Sequence, residues 1–310
     1  MHHQHAHQRQ LDMLKTALGQ PLVDLLTQDD VIEIMANPDG KLWIDTLSQG
    51  KFVTEIFLSE SQRLTIIKLI ASSNNLLINE EHPEISCEIQ FASARFQGWI
   101  PPVSTNATFT IRKKARAIHT LDDYLAKNWI TAAQAKLLKQ AICNKLNLLI
   151  AGGTGSGKTT FANALLHELR ESQDRIIVLE DLPELQISSK DHVTLRTSDK
   201  ITMRSLVKGC LRMRPDRIII GEVRDGAALD LLKAWNTGHP GGFCTLHANS
   251  ASSVHSRLED LILEAASQVP QRLILETLDV ILFMEKQGNR DYKLAEIKCV
   301  SDKAKKIIFE

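Results

Sequence analysis

Gly152-Gly-Thr-Gly-Ser-Gly-Lys-Thr159 places four glycines in its first six positions and fits G-x-x-x-x-G-K-[ST] at every fixed place. With no side chains in the way, the backbone N–H groups of such a loop turn inward onto phosphate oxygens. Lys158 then supplies a point charge to the β and γ phosphates, and the Thr159 hydroxyl is placed to ligate Mg²⁺. A helix starting at the loop's end aims its positive pole at the same anion. Gly153, Thr154, Gly155, Ser156, Gly157, Lys158, Thr159 and Thr160 are therefore the expected nucleotide-binding residues, with ATP and Mg²⁺ as the ligands. The pattern implies nucleoside-triphosphate binding and leaves open the use made of it.

That use must be carried by acids and a base further along. Arg217-Ile-Ile-Ile-Gly-Glu222 is an apolar strand delivering a carboxylate to its C-terminal end, where open α/β sheets bind ligands. Glu222 is the candidate to orient or deprotonate an attacking water. A second strand, Ile176–Leu179, ends in Glu180-Asp181, with Glu184 soon after. Paired carboxylates there suit Mg²⁺ held through water, or a polarised nucleophile; Asp181 also suits the start of a turn before Pro183. Thr237–Ser250 carries His239, Cys244 and His247, with His255 beyond. A structural zinc needs four converging ligands, and a strand through Gly242–Leu246 turns Cys244 and His247 to opposite faces. His247 reads better as a strand-end imidazole near the γ-phosphate, with a hydrogen-bonding core histidine as the alternative.

Two sets of elements must position these groups. From Asp30 to about Arg112 short strands are joined by tight turns: Val31–Ala36 and Lys41–Asp45 flank Asn37-Pro-Asp-Gly40, and Lys51–Phe57 follows Ser48-Gln-Gly50. Ser59–Ser73 reads as a helix with Ser59 as N-cap, followed by strands at Glu84–Phe91, Ala94–Ile100 and Thr108–Arg112. After a helical, charged stretch at Ala115–Asn144, strands at Leu146–Ala151, Arg175–Glu180, Arg217–Ile220 and Gly242–Leu246 alternate with helices near Gly157, Met203 and Asp225. That alternation predicts an α/β fold with a parallel sheet covered on both faces, closed by an edge hairpin over Asp279–Glu285 and Tyr292–Val300. The expected division is a flexible terminus 1–10, an α+β domain 11–114, a linker 115–135 and an α/β domain 136–310.

Composition narrows the functional classes. Lys plus Arg (37) equals Asp plus Glu (37) and aromatics are 5%, so neither a basic tract nor a stacking platform marks a nucleic-acid motor. Five scattered cysteines with no C-x-x-C pair argue against a disulfide framework and for a reducing compartment. No apolar run approaches the length of a membrane span, and Met1-His-His-Gln-His-Ala-His-Gln-Arg9 has no apolar signal region. The histidines there could bind metal, although a mobile terminus rarely holds a fixed ligand geometry. A small-molecule kinase would need an acceptor pocket and an arginine-bearing lid, and no such insert follows the loop's helix. Leu211–Arg217 is basic and suits either a neighbouring subunit or membrane surface, or a solvated turn.

Taken in order, Gly152–Thr159, Arg175–Glu184, Arg217–Glu222 and Thr237–Ala248 resemble the Walker A, Asp box, Walker B and His box of the secretion-superfamily traffic ATPases, especially the TrbB-type ATPases of conjugal transfer that serve type IV secretion. Asn37–Trp43, and Arg95–Pro102 through Lys113, resemble that family's N-terminal domain. The resemblance implies a RecA-like P-loop ATPase domain behind a small α+β domain, assembled as a homo-hexameric ring. It implies a cytoplasmic motor, peripheral at the inner membrane, that partners membrane components of secretion or conjugation and makes no direct nucleic-acid contact. It further implies that Arg95 and Arg112 reach the terminal phosphates and join Lys158, Glu222, Glu180 and His247 in catalysis, with Thr159, Glu180 and Asp181 near Mg²⁺. The four-cysteine metal module of many secretion and pilus-assembly relatives is lacking, which favours the conjugation branch.

Overall fold

The computed structural model describes residues 2–114, 118–198, 200–288 and 291–309. Two compact units divide the chain, Met1–Arg116 and Ala117–Glu310. The side chains of the N-terminal histidine cluster and the turn residues 289–290 of the terminal hairpin lie outside the described residues.

The first unit opens with α1 (His2–Thr27), interrupted at Gly19 ahead of Pro21. Its Leu14, Leu18, Leu22, Leu25 and Leu26 recur on one face and bury against the unit's core. Strands β1 (Val31–Ala36), β2 (Lys41–Thr46) and β3 (Gly50–Phe57) follow as hairpins, then α2 (Glu60–Ser73). Ser59 caps α2 reciprocally with Gln62, satisfying donors that a helix start leaves open. Strands β4 (Glu84–Ile89), β5 (Ala94–Trp99) and β6 (Thr108–Lys113) complete a six-stranded antiparallel sheet in the order β3-β2-β1-β6-β5-β4. Arg63 of α2 is buried at 2% exposure yet fully employed: it donates to the carbonyls of Ala107 (2.6 Å), Pro38 (2.9 Å) and Leu58.

The second unit begins with α3 (Leu121–Ala126) and α4 (Ala132–Cys143). Residues 118–135, expected as linker, carry side chains that enter this unit's core. Leu121, Tyr124, Trp129 and Ile130 are buried there, and Tyr124 packs edge-on against Phe161 at 5.1 Å. Then come β7 (Leu148–Gly152), α5 (Lys158–Glu168), β8 (Ile176–Glu180) and β9 (His192–Arg196). They are followed by α6 (Met203–Cys210), β10 (Arg217–Ile220), α7 (Ala227–Asn236), β11 (Phe243–His247), α8 (Val254–Leu263) and α9 (Gln271–Thr277). The chain closes with β12 (Val280–Gln287), β13 (Asp291–Cys299) and α10 (Asp302–Phe309).

These strands form one sheet in the order β13-β12-β7-β11-β10-β8-β9, parallel except for the edge strand β13. Alternate residues feed opposite layers, as a strand's period of two requires. Leu149, Ile177, Ile218 and Cys244 face the layer of α6–α9, whereas Leu148, Ile150, Ile176 and Phe243 face α4 and α5. Burial on both faces explains the unbroken apolar runs of these strands. The chain leaves β7 through α5 to β8, skipping the positions of β11 and β10. The carboxyl ends of β7, β11, β10 and β8 thus stand side by side, where such a sheet opens a ligand crevice.

Leu211–Arg217, expected as a basic surface or a solvated turn, ends differently. Arg217 is buried and donates to Asp174 Oδ2 (2.7 Å), Gly241 O (3.0 Å) and Ile142 O (3.0 Å).

Candidate nucleotide site

The glycine loop leaves β7 at Gly152 and enters α5 at Lys158. Close approach demands glycine at the exit: a Cβ on Gly152 would lie 2.4 Å from the Met284 carbonyl of β12 and 2.6 Å from Ser156 Oγ. Gly157 starts α5 at φ +86°, a left-handed conformation that side chains resist, and a Cβ there would meet Tyr292 at 3.0 Å. The first-turn N–H groups of α5, at Lys158, Thr159 and Thr160, have no intrahelical partner. Gly153, Thr159 and Thr160 are half-buried beside them, and Thr154 and Gly155 are exposed at the loop's crest. Ser156 Oγ is buried without a hydrogen-bond partner.

Lys158 is buried, and its ammonium donates to the carbonyls of Gly152 (2.9 Å) and Gly153 (2.7 Å). Its Nζ also stands 3.4 Å from His247 Nδ1, at the end of the neighbouring strand β11. The opposite ring nitrogen, His247 Nε2, lies 3.1 Å from Glu222 Oε1 beyond the end of β10. Burial, then the Lys158 charge, outweigh Glu222 and hold His247 below the usual imidazole value. A neutral ring between an ammonium and a carboxylate takes the tautomer with its proton on Nε2, toward Glu222, and a bare Nδ1 toward Lys158. The termini of β7, β11 and β10 therefore present Lys158, His247 and Glu222 as one continuous line of contacts.

Glu180 and Asp181, at the end of β8, are disposed differently. Glu180 is buried, and its Oε1 accepts from the backbone N–H of Glu184 (2.8 Å) and Leu185 (2.7 Å), folding the following loop around it. Desolvation pushes this carboxyl upward against those two hydrogen bonds, and Oε2 is buried without a partner. Asp181 Oδ1 accepts from Thr197 Oγ1 (2.9 Å), and its Oδ2 lies 3.9 Å from Arg224 Nη1. Arg224, which sequence reasoning passed over two residues after Glu222, donates from Nη2 to Glu222 Oε2 at 2.5 Å. Among the described residues no cluster of three or more His, Cys, Asp or Glu forms a metal site. A cation brought in by phosphate needs fewer protein donors. The half-buried Thr159 hydroxyl and the unpartnered Glu180 Oε2 are hard oxygen donors that suit Mg²⁺, directly or through water.

In the first unit Arg95 of β5 and Arg112 of β6 are direct cross-strand partners. Glu88 flanks Arg95 on one side and Glu33 flanks Arg112 on the other, continuing through Asp45 to Lys51 across the whole sheet. Like charges directly opposite repel, and the two flanking acids offset that repulsion.

A glycine cradle between a strand and a helix of a parallel sheet, with a lysine, an imidazole and a carboxylate at neighbouring strand ends, is the arrangement of a RecA-like α/β fold. A family model described as "Type II/IV secretion system protein" matches residues 63–287. The chain is 44% identical over 297 residues to "Probable conjugal transfer protein TrbB" of Sinorhizobium fredii, covering 94% of this chain and 91% of the relative. It is 44% identical to "Conjugal transfer protein TrbB" of Rhizobium radiobacter, covering 91% and 88%. Among solved structures, the VirB11 ATPase from the Brucella suis type IV secretion system, in complex with sulphate, aligns with a TM-score of 0.50 at 25% identity, over 98% of this chain and 99% of that one. The chain belongs to the Type II/IV secretion system protein family.

Proposed function

We propose that this protein is an ATP-hydrolysing motor that energises conjugal transfer through a type IV secretion apparatus. The observation that carries the reading is the contact line Lys158–His247–Glu222 at the carboxyl edge of the sheet, beside the glycine cradle. On ATP binding the Lys158 ammonium exchanges the loop carbonyls of Gly152 and Gly153 for β and γ phosphate oxygens, while N–H groups of Gly153–Thr160 close on the rest. Glu222 orients a water toward the γ-phosphorus and takes its proton as the Pγ–O bond to ADP breaks. His247, on the same line of contacts, registers loss of the γ-phosphate through Lys158 and Glu222. Mg²⁺, when bound with ATP, neutralises charge on the transferring group; Thr159 is the residue to hold it, with Glu180 Oε2 able to accept from its water shell.

The resemblance assigns Arg95 and Arg112, direct cross-strand partners on β5 and β6, to the terminal phosphates. Working as a ring of six copies at the inner membrane, with membrane-bound secretion components as partners and no nucleic-acid contact, completes the reading. The described residues contain no helix long and apolar enough to cross a membrane. The test is ATP hydrolysis without acceptor or DNA: wild type releases phosphate and Lys158→Ala does not. Strict dependence on an acceptor or on DNA would point instead to a kinase or a nucleic-acid motor.

A further inference from the structure

We propose that Arg224 is a positioning residue for hydrolysis: it aims the Glu222 carboxylate and is itself anchored by Asp181. This rests on the reading above, in which Glu222 serves the attacking water. Glu222 lies past the end of β10, in the connection to α7, so no regular element fixes its side chain. Two neighbours fix it instead, each taking one oxygen: His247 lies 3.1 Å from Oε1 and Arg224 donates to Oε2 at 2.5 Å. The second arm of the guanidinium points to Asp181 Oδ2 at 3.9 Å, and Thr197, just beyond β9, donates to Asp181 Oδ1 at 2.9 Å. The guanidinium thereby holds Glu222 through one hydrogen bond while its other arm lies within ion-pair range of Asp181 at the end of β8.

The surroundings support this assignment. A polar cleft of about 200 Å³ opens beside the pair, lined by Asp181, Thr197, Thr202, Glu222, Arg224 and Asp225 among others. Other polar groups there already have local duties: Thr202 Oγ1 accepts from Ser205 N at the start of α6, and Asp225 Oδ1 accepts from Ala227 N at the start of α7. Arg224 is the sole cation among the described lining residues. With its side chain 53% exposed, its pairs contribute little to folding, so its worth lies in geometry. Without it Glu222 keeps, among the described residues, only the His247 contact on Oε1, and Oε2 loses its anchor.

The experiment is steady-state ATP hydrolysis by wild type, Arg224→Ala, Arg224→Lys, Glu222→Gln and the double variant Glu222→Gln/Arg224→Ala. Misplacing a reacting group by a fraction of its contact distance costs about ten- to a hundredfold, so Arg224→Ala should lose that much kcat with KM for ATP unchanged. Arg224→Lys should fall between. The double variant should be no slower than Glu222→Gln alone, because Arg224 acts only through that carboxylate. Three results would overturn the proposal: full kcat in Arg224→Ala, a loss confined to KM, or losses that multiply in the double variant. Wild-type turnover in Glu222→Gln would instead remove the parent reading and this one with it. Equal melting temperatures of wild type and Arg224→Ala guard against a folding defect.

Discussion

Acid should loosen the second unit through Asp174. Its Oδ2 accepts from the buried Arg217 Nε at 2.7 Å and its Oδ1 from Lys145 Nζ at 2.7 Å. Desolvation raises this carboxyl, but Lys145 and Arg217 together outweigh it and hold it at about 2 rather than 3.8. At roughly 1.4 kcal/mol per pH unit, that gap corresponds to about 2 kcal/mol of stability. Because the folded value is depressed, the contribution is complete above about pH 4 and is lost as pH falls toward 2, with about half gone at pH 3. Asp174→Asn removes the titration and leaves Arg217 buried with two carbonyl partners, a cost independent of pH. Urea unfolding of wild type and variant from pH 6 to pH 3 should show the stability gap narrowing by about 1 kcal/mol over that range. A gap that stayed constant, or widened, would refute the assignment of Asp174 as the ionised partner of Arg217.

Two further outcomes are expected. Arg63→Ala strips the buried Leu58 and Ala107 carbonyls of the guanidinium, while Pro38 O keeps Asn106 Nδ2 at 3.2 Å, so it should destabilise the first unit by about 2 kcal/mol or more in chemical unfolding; a loss below about 1 kcal/mol would mean the two buried carbonyls find other donors. Arg95→Ala and Arg112→Ala should abolish ATP turnover while native mass measurement still finds the ring, and unchanged kinetics would reduce both to members of the cross-sheet charge row.

What the sequence reveals here depends on how far each signal is local. The hairpin Asn37–Gly40, the Ser59 cap and the apolar runs of β7, β8, β10 and β11 depend on turn chemistry and two-sided burial, both visible in a short window. Strand β9 escapes that window because it lies at the sheet edge, where His192 and Arg196 are exposed and the apolar run is broken. Helix α1 was legible in the spacing of Leu11, Leu14, Leu18, Leu22 and Leu25, a signal obscured by the polar start of the chain and by Gly19-Gln-Pro21. In 118–135, charged surface positions hide a buried aromatic cluster whose partners Phe161 and Tyr292 are distant in sequence. The site shows the same limit. Lys158 and Glu222 announce themselves by motif, whereas the burial of Arg217 follows from partners at positions 142, 174 and 241. Asp181 meets Thr197 and Arg224 only through the fold, and neither partner is visible in a local window.

The central claim is that the cradle holds ATP while Glu222 drives its cleavage. Nucleotide affinity and phosphate release measured side by side on Glu222→Gln test it most directly. ATP bound as tightly as by wild type, with turnover lowered by about a hundredfold or more, is the expected result. Turnover equal to wild type, or loss of ATP binding together with turnover, would contradict it.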